Sequence, residues 1–142
     1  MNIAAPADLT ALRIVDLPSQ PSKNGTLGIV EGGETVPFAI ARTFQITGMP
    51  PGGLRGQHAH KRCSQFMLCL YGVLSIHCDD GARSSVVRLD RPDKGLLVPP
   101  GIWIEVRSEA DQSALLVLCD RPYEADDYIR DRGEFEVSRG VR

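Results

Sequence analysis

Along most of this chain the apolar residues come in short runs and do not recur at helical spacing. The runs are TALRIVDL at 10–17, TLGIVE at 26–31, PFAIARTFQIT at 37–47, QFMLCL at 65–70, VLSIHC at 73–78, SSVVRL at 84–89, GLLV at 95–98, IWIEV at 102–106 and SALLVLC at 113–119. Turn formers bound them, at Ser22–Gly25, Gly32–Gly33, Pro50–Gly53, Asp79–Gly81, Pro92–Gly95 and Pro99–Gly101. Short strands at near-regular spacing predict an all-β, antiparallel barrel or sandwich of about nine to eleven strands. Asp80-Gly81 between two runs predicts a hairpin. One stretch reads as helix, Glu124–Asp131, because acids gather at its N-terminal end, where the helix dipole favours them. Pro18 to Pro21 reads as a linker. The expected organisation is therefore one domain over 1–142: an N-terminal segment (1–21), a barrel (22–122) and a C-terminal helix and tail (123–142).

Composition narrows the possibilities. A chain of 142 residues buries a substantial core without staples. Its net charge of −2 offers no electrostatic footprint for nucleic acid or a membrane surface. No run approaches the roughly 18 apolar residues of a membrane helix, and the start lacks the pattern of a secretory leader. The cysteines, 63, 69, 78 and 119, form no CxxC pair and mostly lie in strand-like apolar surroundings. A reduced, cytoplasmic protein without structural zinc is expected.

The candidate chemistry gathers in Arg55-Gly56-Gln57-His58-Ala59-His60-Lys61. On an extended strand, positions i and i+2 share a face, so His58 and His60 project together. Two imidazoles near neutrality can hold one neutral and one protonated ring, which suits acid–base work. The third histidine, His77, lies on the strand before the Asp79-Asp80 turn.

HxH on a strand, an acid some residues later and a third histidine after a PxG turn resemble the metal signature of cupins. This chain keeps the frame and loses ligands: Gln65 stands where the acid falls, and Ile104 where the later histidine falls. Two imidazoles and an amide make a poor divalent-ion site, so no metal is expected. A narrower resemblance covers Arg55 to Gln65 (RGQHAHKRCSQ). With Pro37-Phe38, Arg42, Asp79-Asp80-Gly81, Gly95-Leu96, Pro100, Trp103, Leu115–Leu118, Tyr123-Glu124, Asp127–Asp131 and Phe135, it is similar to the WxcM-like sugar 3,4-ketoisomerases. These are metal-free cupins acting on dTDP-4-keto-6-deoxyglucose. Departures from the pattern are Phe44 and Gln45 where tyrosines are usual, Arg132 in place of another tyrosine, and Asn24 before Gly25.

The resemblance implies an isomerase that moves a keto group from C4 to C3 of a nucleotide-linked sugar through an enediol. No net oxidation occurs, so no cofactor is required, and the chain has no GxGxxG fingerprint. His58 and His60 are the implied acid–base pair. Arg42 and Arg55 are candidates for the diphosphate, Lys61 and Gln65 for orienting the sugar or a ring tautomer, and Trp103 for stacking. Asp127, Tyr128 and Arg130 are expected to lock the terminal helix onto the barrel. Relatives of this family are dimers, so a homodimer is expected. The rival readings are a metal-dependent cupin, a nucleotide-sugar binder without turnover, and a 3,5-epimerase.

Overall fold

The computed structural model describes residues 7–141. Numbered in chain order, β1 (Arg13–Asp16), β9 (Lys94–Val98), β6 (Gln65–Tyr71), β11 (Ser113–Cys119) and β4 (Arg42–Met49) form one antiparallel sheet, in that spatial order. A second antiparallel sheet runs β12 (Tyr128–Ile129), β5 (Leu54–His60), β10 (Trp103–Ser108), β7 (Leu74–Asp79), β8 (Ser84–Leu89). β2 (Ser19–Ser22) and β3 (Gly25–Gly28) pair only with each other. The one α-helix among the described residues, α1 (Arg132–Ser138), follows β12. The result is a cupin-type jelly roll with a short C-terminal helix.

Strand alternation builds the core. Met67, Cys69, Leu96, Val98, Leu115 and Val117 from the first sheet meet Leu74, Ile76, Cys78, Ile104 and Val106 from the second in one buried cluster. The opposite face of the first sheet is also covered. There Phe66, Leu68 and Leu118 pack with Val36 and with Val30, Phe38 and Ile40 of the segment before β4. β6 is thus buried on both faces, which is why QFMLCL is continuously apolar. On the outer face of the second sheet, Ala59, Trp103 and Ile129 pack against Phe135 of α1.

Two expectations are corrected. The helix does not occupy Glu124–Asp131. Ala125–Asp127 form a 3₁₀ turn, Tyr128 and Ile129 extend as β12 against β5, and the helix begins at Arg132. Asp131 is its N-cap, accepting a hydrogen bond from the Glu134 amide at 2.8 Å. The acids that suggested an earlier start have tertiary partners instead. Nor does Pro18–Pro21 form a linker. Arg13–Asp16 pair with β9, and Pro18–Pro21 enter a hairpin that begins before residue 22. The Asp80-Gly81 turn does close the β7–β8 hairpin, with Asp80 accepting from the Ala82 and Arg83 amides.

Gly95 of β9 lies beneath the Phe66 ring: a Cβ there would come within 2.0 Å of Phe66 Cζ. Gly95→Ala is expected to destabilise the fold by about 1–3 kcal/mol through overpacking. Gly28→Ala, where a Cβ meets nothing within 4 Å, is expected to stay within about 0.5 kcal/mol of the parent. Urea unfolding of the two variants checks the difference.

Candidate active site

Ile104 and Val106 lie two residues apart on β10 and both face the core. Their partners on β5 are His58 and Arg55, which are three residues apart. In a regular strand, positions three apart face opposite sides. A β-bulge at Gly56–Gln57 takes up the extra residue, so the register steps from Ile104↔His58 to Glu105↔Gly56. Both bulge residues have positive φ, 86° at Gly56 and 58° at Gln57. A side chain at 56 would also place its Cβ 3.0 Å from the Ile104 carbonyl oxygen. The bulge therefore brings an imidazole and a guanidinium to one face of one strand.

That face opens into a cleft of about 550 Å³ whose walls include Arg42, Phe44, Arg55, Gln57, His58, Tyr123, Tyr128 and Arg130. Arg42, on β4, lies with its guanidinium carbon 5.6 Å from the Tyr123 ring centre and donates from Nη2 to Cys119 Sγ at 3.5 Å. The Cys119 thiol is lowered to about 6, by a hydrogen bond from Cys63 and then by Arg42. Cys63 is raised correspondingly, as the partner that gives the hydrogen bond, and by burial. Gln65 also reaches Cys119 Sγ, at 3.9 Å.

The two histidine rings sit edge to face, with centroids 5.0 Å apart. His58 Nδ1 contacts the Gly56 carbonyl oxygen at 3.0 Å. A carbonyl only accepts, so Nδ1 carries the proton and Nε2 the lone pair. Burial first, and His60 second, lower its pKa to about 4, so the ring is neutral at physiological pH. His60 lies deeper, 4% exposed, outside the cleft lining. Its Nδ1 donates to Asp127 Oδ2 at 2.7 Å, and its Nε2 is buried without a partner in the described structure. Burial lowers the His60 pKa, against the opposing pull of Asp127. Burial would raise Asp127, but the hydrogen bonds from His60 and the Arg62 amide outweigh it and leave the carboxylate lowered.

Pairing of β12 with β5 sets Tyr128 opposite His60. The phenol ring lies 4.4 Å from the His60 ring and 5.0 Å from His58, centroid to centroid, and the Arg130 guanidinium carbon lies 4.3 Å from the Tyr128 ring centre.

Of the seven positions singled out in the sequence, Arg42, Arg55 and His58 line the cleft, and His60 lies just beneath. Gln65 lines a smaller interior cavity of about 40 Å³ that His58 and Arg55 also border. Lys61 and Trp103 are not brought to the cleft. Lys61 has left the strand, its side chain exposed and its amide bonded to the Asp127 carbonyl. Trp103 precedes Ile104 and so faces the opposite side, buried against Phe135 with rings 5.5 Å apart. Of the three residues expected to lock the terminal helix onto the barrel, Asp127 does tie its segment to the end of β5, through His60 and the Arg62 amide, whereas Tyr128 and Arg130 line the cleft and Ile129 and Phe135 pack the terminal segment against the second sheet. Tyr128 carried no local signal, because only a pairing between distant segments puts it there.

Donor atoms of His60, Cys63 and Asp127 lie within 4.8 Å of one another, a grouping that could hold a metal ion. Both Asp127 oxygens are already engaged, one by His60 Nδ1 and the other by the Arg62 amide at 2.6 Å. An ion would have to displace those bonds.

Residues 10–140 match the family model described as FdtA: WxcM-like, C-terminal. A TDP-4-oxo-6-deoxy-alpha-D-glucose-3,4-oxoisomerase from Aneurinibacillus thermoaerophilus is 31% identical over 124 residues, 87% of this chain and 89% of the relative. The sugar 3,4-ketoisomerase QdtA from Thermoanaerobacterium thermosaccharolyticum, solved with TDP, superposes with a TM-score of 0.89 at 28% identity, covering 94% of this chain and 97% of its own. The TDP-quinovose 3,4-ketoisomerase WlaRB from Campylobacter jejuni gives 0.85 at 32% identity, with 91% and 99% covered. On the match along nearly its whole length, the chain belongs to the FdtA (WxcM-like, C-terminal) family of cupin-fold sugar ketoisomerases.

Proposed function

We propose that this chain interconverts the 4-keto and 3-keto forms of a TDP-linked 6-deoxyhexose by proton transfer alone. The observation that carries this reading is one cleft with a neutral imidazole, His58, on its wall, a carboxylate-held imidazole directly behind it, and arginines 42 and 55 alongside. The C3 proton of a 4-keto sugar is acidified by the neighbouring carbonyl. His58 Nε2 takes it while the C4 oxygen gains a proton, giving an enediol. Loss of the proton on the C3 oxygen and return of one to C4 complete the shift. Electrons are conserved within the sugar, so the balance calls for no redox partner.

In this reading His60 and Tyr128 move the oxygen protons. With Nδ1–H committed to Asp127, His60 accepts at Nε2, and the carboxylate stabilises the imidazolium that forms. Tyr128, in contact with both rings, supplies a phenol at the same place. Arg42 and Arg55 take the diphosphate, whose oxygens the planar guanidinium matches. Cys119, which Gln65 also contacts, holds the Arg42 guanidinium.

The chain is further proposed to act as a cytoplasmic homodimer. Support comes from the exposed β2–β3 hairpin, from Ile14 and Leu27 at 60% and 57% exposure, and from four cysteines that are all free. Among the described residues no helix is long and apolar enough to cross a membrane. Sedimentation at micromolar concentration is expected to give a dimer; a monomer throughout would contradict it.

Incubation with TDP-4-keto-6-deoxyglucose in deuterium oxide, followed by NMR, tests the chemistry. Wild type is expected to exchange the C3 proton and form the 3-keto product. His58→Asn is expected to stop exchange, and either His58→Asn or His60→Asn to lower turnover by about 10²–10⁴-fold with TDP affinity little changed. Exchange that continues in His58→Asn would assign the base elsewhere, and binding without any exchange in wild type would favour the non-catalytic reading.

The pH profile follows from His58. A lowered pKa means that the ring stays unprotonated until the pH falls through about 4. The acid limb of kcat/KM is therefore expected below about pH 5, not near the ordinary histidine value of about 6.5. An inflection close to 6.5 that vanishes in His58→Asn would contradict the assignment.

A further inference from the structure

Among the described residues Gln57 is the only one other than glycine with a positive φ. The left-handed region crowds the Cβ of an L-residue against its own backbone, and glycine enters it freely. The bulge accounts for the conformation at 57 but not for the side chain there. Glycine would make the same turn more easily, as Gly56 does one residue earlier with φ of 86°. Strain retained in a cleft wall next to a reactive group points to a use for what the strained residue carries.

What glutamine carries is an amide, with two donors and one acceptor oxygen. The side chain is exposed, borders the cleft beside His58, and makes no hydrogen bond within the described structure. Nothing in the fold consumes its polar groups. A sugar hydroxyl both donates and accepts, and so complements an amide. The reading above puts the sugar ring against His58, and the adjacent glutamine is long enough to reach a neighbouring ring substituent.

We propose that Gln57 is a specificity-determining residue whose side-chain amide hydrogen-bonds a hydroxyl of the bound hexose next to the reacting carbons. The proposal rests on the nucleotide-sugar reading and adds which part of the ligand Gln57 recognises. It also separates Gln57 from Arg42 and Arg55, which are assigned to the diphosphate.

Binding of TDP and of TDP-glucose, measured by calorimetry, tests it, because neither probe carries the ketone and neither turns over. Gln57→Gly removes the amide and suits the backbone; Gln57→Asn keeps an amide and tolerates positive φ. The glycine variant is expected to bind TDP like wild type, to bind TDP-glucose roughly five- to tenfold more weakly, and to melt no lower than wild type. The asparagine variant is expected to recover part of the loss. With the keto sugar, the glycine variant is expected to raise KM more than it lowers kcat. Unchanged TDP-glucose affinity in Gln57→Gly overturns the proposal, as does an equal loss for TDP, which would move the contact to the nucleotide. A wild type that binds neither probe overturns the nucleotide-sugar reading itself, and this proposal with it.

Discussion

Asp127 places a carboxylate in an almost fully buried position, where an isolated charge is costly to desolvate. Two hydrogen bonds make it tolerable, one from the ring of His60 and one from the backbone of Arg62. The same two bonds tie the segment before β12 to the end of β5, with the Arg62 guanidinium adding exposed contacts to Glu124 and Asp126. Removing the carboxylate would leave His60 with two unsatisfied nitrogens and release the segment that carries Tyr128. The stability of that corner and the protonation state of the deeper histidine are therefore one problem with one solution.

The bulge in β5 settles a second matter, the division of the strand between interior and exterior. Ala59, following His58, turns outward and packs with Trp103, Ile129 and Phe135. His58 and His60 turn inward. The bulge before them lets Arg55 turn inward too, although it is an odd number of positions away. A flat strand could offer the cleft either the arginine or the histidines. Irregular backbone at this point is thus part of how the site is assembled, and the regular ladder beyond it is what keeps the irregularity in place.

Much of the fold could be read from the runs of apolar residues, because alternation and punctuation are local properties. The continuous run in β6 differs from the alternating ones for a physical reason, burial on both faces. The histidine pair was legible because i and i+2 on a strand must share a face. The terminal helix was misplaced because the acids of 124–131 resembled a helix start, whereas Asp127 answers to His60, 67 residues away. Tyr128 reaches the site only through a strand pairing that no local pattern announces. Trp103 could be assigned to a face only once the register of β10 was known. Arg55 stood in the right motif, yet its orientation depended on a bulge whose only local trace is Gly56.

The pairing of β12 with β5 also bears on when the protein becomes competent. Every other strand of the second sheet lies before residue 109, but β5 stays an open edge until residues 128 and 129 arrive. During synthesis the barrel can collapse around its core while His60 has no carboxylate and Trp103 no cover from Phe135. Such an intermediate would hold the histidines in register, yet lack the His60–Asp127 bond and one wall of the cleft. Completion of the site therefore depends on a long-range pairing that is distinct from the contacts forming the core.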